Sequence, residues 1–340
     1  MKVAILEDKH KIVIREVGDL RPGSDQILIE TKFTGICGSD IHAFKGLHPF
    51  RKPPVILGHE LSGTVVEMGK EVKGFRAGDR VTVMPLIACG ECVQCKRGKQ
   101  NICLNKKVPG IEGWLGTFSE YFLSKPSITY TLGEQTSFET GVLAEPLAVG
   151  IHSVYYQAKV ETGSRVLVLG AGTIGILTAL AAKVAGAREI VVTDLFDFNL
   201  KVTKDLCSAR TYSVKKDGLE DTLLKDYPDK FDITFLCSGA PKTVEQAFRL
   251  TQRGGRIVVI GMFLEPVPIE LIAVNLSELE IIGSAVYNHN DFKRALEWID
   301  SGRFDFGKLI THVLPIEKAD DAMNLLIKHD ENAIKILLAT

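Results

Sequence analysis

A glycine-rich turn between a strand and a helix constrains this 340-residue chain more than any other feature. Gly170-Ala171-Gly172-Thr173-Ile174-Gly175 follows the continuous apolar run 165–169 and opens the Ala-rich stretch 173–185. Each glycine has its own steric task. Gly170 permits a tight turn, Gly172 lets backbone approach a pyrophosphate, and Gly175 lets helix and strand pack closely. Thr173 and Ile174 begin a helix whose free N–H groups face the anion. Asp194 ends the next strand, 24 residues after Gly170. Its carboxylate would accept hydrogen bonds from ribose hydroxyls and repel a 2′-phosphate, so NAD is expected rather than NADP. The competing readings of the turn are a flavin site and a vestigial fold that binds nothing.

The texture around this turn alternates strand with helix. Apolar runs at 189–193, 231–236, 256–260 and 280–282 are separated by helical stretches such as 243–251. Continuous apolar strands with helical crossovers predict a parallel sheet covered on both faces. The first third reads as short β-branched strands, at 3–6, 11–16, 26–33, 61–68 and 81–84, with a helix at 291–301 and mixed strand signals closing the chain. The fold class is therefore α/β, with two lobes at this length. Apolar content of 45% and a net charge of −1 describe a soluble globular chain. They leave no electrostatic footprint for nucleic acid or for an anionic membrane surface. No apolar run is long enough for a membrane span, and Met1-Lys2-Val3 enters strand-like alternation rather than a signal peptide.

Four of the seven cysteines fall in Cys89-x2-Cys92-x2-Cys95-x7-Cys103. Thiols this close make strained disulfides, whereas Zn²⁺ takes four sulfurs tetrahedrally and suits two-residue spacers. The surrounding loop is polar and has no apolar period, so metal binding would supply its order. Four sulfurs close the coordination sphere, which makes this a structural zinc and sends the chemistry elsewhere. Thiols kept for metal also fit a reducing cytoplasm.

Upstream stand Cys37-Gly38-Ser39-Asp40-Ile41-His42 and Gly58-His59-Glu60-x2-Gly63-x5-Gly69-x2-Val72. With these motifs the whole chain resembles the zinc-dependent medium-chain alcohol dehydrogenases. The resemblance implies a GroES-like catalytic domain, residues 1–153 and 284–340 with a zinc lobe at about 85–108, interrupted by a Rossmann domain at 154–283. It implies Cys37 and His59 as ligands of a catalytic zinc. Where one branch has a third cysteine, this chain has Glu145, which resembles the sorbitol, butanediol and threonine dehydrogenases. The third ligand is then a carboxylate from Glu60 or Glu145. Ser39 and His42 match a proton relay, and Asp40 would support the zinc-bound histidine from behind. Gly38 stands where some relatives carry an arginine for the pyrophosphate, and Asn199 where many have an arginine near the adenine. Fewer charges are thus expected on the cofactor. Arg51 and Lys45 would suit a substrate carboxylate but are expected as ordinary surface charges. Cys207 and Cys237 are expected in packing, and His10, His48, His152, His289, His312 and His329 have no assigned role.

These features and the resemblance imply two Zn²⁺ per chain, NAD, and a small alcohol or polyol oxidised to a ketone, and the resemblance to relatives suggests a homodimer or homotetramer. Threonine-type amino-alcohol oxidation is the alternative within the branch. A zinc-less quinone-type reductase would have no use for Cys37, His59 and Glu60. A non-enzymatic nucleotide-sensing protein is the alternative from another class.

Overall fold

The computed structural model describes residues 1–111, 113–328 and 332–340, so His329 lies outside the described residues. The chain forms two compact units, Met1–Glu145 with Asn288–Thr340, and Pro146–Tyr287. These divisions fall eight residues before the 153/154 and four residues after the 283/284 expected from sequence.

In the first unit, β1 (Lys2–Asp8) and β2 (Lys11–Glu16) form an antiparallel pair. β3 (Ile27–Gly35) runs through Ile36 and Cys37 into the short helix α1 (Gly38–Phe44), and β4 (Val55–Ile56) pairs with β1. β5 (Glu60–Met68) lies antiparallel to β3 in a register that sets Glu60 opposite Gly35. Next come β6 (Arg80–Val83), α2 (Val93–Lys96) within the cysteine loop, β7 (Tyr121–Ser124) and β8 (Thr129–Thr131). Helices α3 (Phe138–Val142) and α4 (Ala144–His152) follow, and the division between units falls inside α4.

The second unit is a sheet of six parallel strands: β9 (Arg165–Leu169), β10 (Glu189–Asp194), β11 (Arg210–Ser213), β12 (Phe231–Leu236), β13 (Thr251–Val259) and β14 (Glu280–Gly283). Their spatial order, β11-β10-β9-β12-β13-β14, is 3-2-1-4-5-6 in order of appearance, the doubly wound dinucleotide-binding arrangement. Strands buried on both faces must be apolar throughout, and Val166, Leu167, Val168 and Leu169 of β9 are all fully buried. Beyond α4, the helices of this unit include α5 (Thr173–Val184), α6 (Asp197–Cys207), α7 (Leu219–Asp226), α8 (Pro241–Leu250) and α9 (Leu271–Ser277). β13 starts five residues before its expected position. Its register slips between Phe231↔Thr251 and Ile233↔Arg256, and the intervening Gly254 has φ +72°, so a bulge hides the true start from an apolar-run reading.

The chain then re-enters the first unit through α10 (His289–Asp300), β15 (Ile310–Pro315), α11 (Ala319–Lys328) and β16 (Lys335–Ala339). Asn288 caps α10 by accepting from the N–H groups of Asn290 and Asp291, while Asp291 accepts from Asn288 N–H. The main sheet of this unit has the order β15-β16-β3-β5-β6-β8, with β7 also on β3. β16 lies beside β3, pairing Leu337 with Gly35, so the last strand reaches the segment that leads to Cys37. Val3, Leu6, Phe44, Leu57, Phe118, Ile336 and Leu338 belong to one buried cluster beneath these strands.

Candidate active site

In the cysteine loop all four sulfurs converge. Sγ–Sγ separations are 3.4 Å for Cys89–Cys103, 3.6 Å for Cys92–Cys95, and 3.9 Å for Cys89–Cys95 and Cys92–Cys103. Four sulfurs about 2.3 Å from one tetrahedral zinc stand about 3.8 Å apart. The donor set therefore fits zinc, and none of the cysteines is in a disulfide. Backbone N–H groups of Cys95 and Leu104 pull the Cys92 thiol down to about 6, towards the thiolate that binds metal.

A second cluster joins Cys37, His59 and Glu60, whose donor atoms all lie within 4.8 Å of one another. Cys37 is the N-cap of α1, and the Asp40 carboxylate fixes it by accepting from Cys37 N–H at 3.0 Å. Asp40 also accepts from Gly58 N–H at 3.2 Å, which ties the two motif loops together. Its Oδ1 lies 3.7 Å from His59 Nδ1. Burial would raise the Asp40 pKa, but His59 and Arg51 outweigh it and hold the carboxyl down near 2. A carboxylate behind Nδ1 orients the ring for ligation through Nε2, the arrangement that supports zinc-bound histidine. Soft, borderline and hard donors around one point fit a zinc ion with a position left open.

Glu60 is fully buried, and so is its counter-charge. Lys335 of β16, 1% exposed, donates to Glu60 Oε1 at 2.8 Å and to Ile36 O at 3.0 Å, with Oε2 at 2.5 Å. Burial alone would lower the Lys335 pKa, but Glu60, with Cys37 and Glu145 behind it, raises it above the ordinary lysine range. A Cβ on Gly35 would stand 2.0 Å from Glu60 Oε2, so the carboxylate occupies space that the facing glycine leaves free. Glu145, in the first turn of α4, is buried and adds its charge at Lys335, but lies outside the tight Cys37–His59–Glu60 group.

Ser39 and His42 both lie on α1. Among the described residues no hydrogen bond joins them directly. Among the described residues His42 Nδ1 has no hydrogen-bond partner, and burial followed by Lys45 lowers its pKa, which favours the neutral imidazole. Ser39 Oγ accepts from Arg51 Nη1 at 3.3 Å. Arg51 is a correction to the sequence reading, since it is 7% exposed rather than a surface charge. His48 explains why. Its Nδ1 accepts from the N–H groups of Phe50 and Arg51 and folds this loop inward. Lys45 ends α1, partly exposed.

In the second unit the glycine turn has the geometry a dinucleotide needs. Gly170 adopts φ +107°, and a Cβ on Gly175 would stand 1.8 Å from Gly170 O, whereas a Cβ on Gly172 would meet open space. Gly172 is the N-cap of α5, with Thr173 and Ile174 as its first two residues. Asp194 closes this corner by accepting from Ala171 N–H at 2.6 Å and Phe196 N–H at 2.8 Å. Asn199 is buried within α6, and its carbonyl accepts from Thr203 Oγ1. Cys207 is buried, its thiol donating to Ile176 O, and Cys237 lies near Thr178, both in packing.

Lys335 is the site residue that sequence reading passed over. A lysine inside the apolar run Ala-Ile-Lys-Ile-Leu-Leu-Ala, residues 333–339, is the available signal, because a strand buried on both sides does not carry a charge without a partner.

Comparison with known proteins agrees with this geometry. Residues 23–134 match the alcohol dehydrogenase GroES-like domain family and residues 173–301 the zinc-binding dehydrogenase family. The chain is 34% identical to the uncharacterized zinc-type alcohol dehydrogenase-like protein YdjJ of Escherichia coli K12, covering 92% of this chain and 91% of YdjJ. It is 32% identical to sorbitol dehydrogenase 1 of Saccharomyces cerevisiae, covering 96% and 97%. Two solved structures superpose over all of this chain and 99% of their own. A zinc-binding dehydrogenase of Sinorhizobium meliloti 1021 bound to NADP gives a TM-score of 0.90 at 30% identity. An alcohol dehydrogenase of Escherichia coli CFT073 complexed with NADH gives 0.91 at 28% identity. Among the described residues no helix is long and apolar enough to cross a membrane.

Proposed function

The chain belongs to the zinc-dependent medium-chain alcohol dehydrogenases, in their polyol dehydrogenase branch, and on that premise we propose that it oxidises a polyol, sugar acid or vicinal diol reversibly at a secondary carbon to the ketone, with NAD. The observation that carries this reading is the convergence of Cys37, His59 and Glu60, with Asp40 behind the imidazole, in a chain that also has an open dinucleotide turn.

Cys37, His59 and a carboxylate of Glu60 or Glu145 would hold the catalytic zinc, and Cys89, Cys92, Cys95 and Cys103 a second, structural one. Bound zinc supplies the Lewis acidity that makes the substrate hydroxyl a usable acid, and NAD supplies the hydride acceptor. Ser39 Oγ takes the hydroxyl proton while passing its own towards His42, whose neutral, unpartnered Nδ1 is suited to receive it. Arg51 donates to Ser39 Oγ and so turns the serine proton away from itself. Lys335 holds Glu60 while also donating to the carbonyl of Ile36 beside Cys37, and so would compete with a bound zinc for that carboxylate. Asp194 supports NAD over NADP, because a 2′-phosphate would meet an existing negative charge. A homodimer or homotetramer is supported by the sheet edge at β14 and by Leu271, Ile272 and Leu276 exposed on α9. Seven unpaired cysteines support a reducing cytoplasm.

The test is an NAD-coupled screen over polyols, sugar acids, diols and threonine on zinc-replete protein, beside elemental analysis. Two zinc ions per chain and NAD reduction that falls about a thousandfold or more in Cys37→Ala are expected, as for loss of a metal acting on the reacting oxygen. A wild-type enzyme that reduces neither NAD nor NADP with any substrate, or a Cys37→Ala variant of full activity, overturns the reading.

A further inference from the structure

Arg51 is held at three points and still has donors to spare. His48 Nδ1 takes its backbone N–H at 3.0 Å, Nε donates to Pro109 O at 3.2 Å, and Nη1 donates to Ser39 Oγ at 3.3 Å. Gly110 packs on its stem, where a Cβ would come within 3.3 Å of Nε. His48 is itself buried, at 8% exposure. Among the described residues no carboxylate lies within 4 Å of the guanidinium, and neither proton on Nη2 has a protein acceptor. Asp40 feels this charge, but gives its oxygens to Cys37 N–H and Gly58 N–H and faces His59.

Proteins rarely bury an arginine without a counter-charge, because desolvating the cation is costly unless an anion compensates. Here the fork is immobilised, and its free edge lies next to the serine that the reading above places at the reacting hydroxyl. A planar fork with three free N–H groups, two of them on Nη2, matches a carboxylate in bidentate fashion.

We propose that Arg51 is the receptor for a carboxylate on the substrate, so that the enzyme prefers a polyhydroxy acid to the corresponding neutral polyol. This rests on the dehydrogenase reading above and narrows its substrate class. The carboxylate supplies the charge that the buried guanidinium lacks, and its attachment to Arg51 orients the carbon chain so that one secondary hydroxyl faces Ser39. The competing anion is the cofactor pyrophosphate, and the experiment separates the two.

The experiment uses zinc-loaded enzyme with L-idonate and D-gluconate as acid probes and sorbitol as the neutral one. Calorimetric titration in the presence of NADH measures binding without turnover. The acids are expected to bind at least about tenfold more tightly than sorbitol, and rising salt is expected to shrink that advantage. In Arg51→Gln the acid-to-sorbitol ratio of kcat/KM is expected to fall by about 30-fold or more, mainly through KM for the acid, with Arg51→Lys between the two. Zinc content and thermal unfolding of both variants separate a lost receptor from a damaged loop. Three results overturn the proposal: acids that bind wild type no better than sorbitol, a ratio unmoved in both variants, or a raised KM for NAD with either substrate. Failure to reduce NAD with any substrate would sink the dehydrogenase reading alone, because the binding comparison still decides whether Arg51 receives a carboxylate.

Discussion

The cysteine loop and the Cys37–His59–Glu60 site gather metal-binding side chains by opposite means. The loop takes its four sulfurs from one 15-residue stretch, and α2 with local N–H groups brings them together. The second site takes Cys37 from the end of one strand, His59 and Glu60 from the start of another, and the counter-charge Lys335 from the last strand of the chain. A closed set of like ligands can be written in a short motif and serves folding. An open set of unlike ligands needs the tertiary structure to hold each group, and that support is where reactivity is tuned.

The largest effect should come from breaking the closed set. Cys92→Ser with Cys95→Ser should cost one zinc per chain and lower the unfolding temperature more than any other change considered, since structural zinc contributes about 10–16 kcal/mol in small zinc domains. Cys37→Ala should cost the other zinc and nearly all activity with little change in unfolding temperature. Elemental analysis beside calorimetry checks the pair, and equal destabilisation in both would end the division into folding and chemical roles.

Lys335→Met should come next. It leaves Glu60 buried and unpaired, at a cost of about 3–5 kcal/mol, and adding Glu60→Gln should recover most of the loss because the stranded charge is gone. Urea unfolding of both singles and the double closes the cycle. Simple additivity would show that the two side chains do not stabilise each other.

The smallest effect concerns the loop that carries Arg51. Burial, helped by Arg51, lowers the His48 pKa from about 6.5 to about 4. The unfolded chain therefore takes up the proton first. The stabilisation from neutral His48 is complete above pH 6.5 and is lost as pH falls towards 4. In His48→Asn, whose amide oxygen can still accept N–H bonds, the fall of unfolding temperature between pH 6.5 and 4 should be shallower. An identical pH profile would mean that the imidazole does not report on this loop.

Much of this molecule was legible because its signals are local. The strand at 165–169, the glycine turn, the cysteine spacing and the Cys37 and His59 motifs each lie within a few residues, and the structure reproduces the first strand at its expected ends. What escaped was non-local or depended on burial. Lys335 acquires its role from Glu60, 275 positions away, and no short window contains both. Arg51 reads as a polar loop residue until the His48 turn folds it under Pro109. The early start of β13 was hidden by a glycine bulge that interrupts the apolar run.

Gly35 faces Glu60 across the strand pair and leaves free the volume that the carboxylate fills, while Lys335 closes the same space from β16. These three positions are therefore physically interdependent. A methyl group at 35 evicts the acid, a neutral residue at 60 strands the base, and a neutral residue at 335 strands the acid. Descent with modification should pass them on together or replace them together, and a lineage that changes one alone must first become tolerant of a misplaced charge.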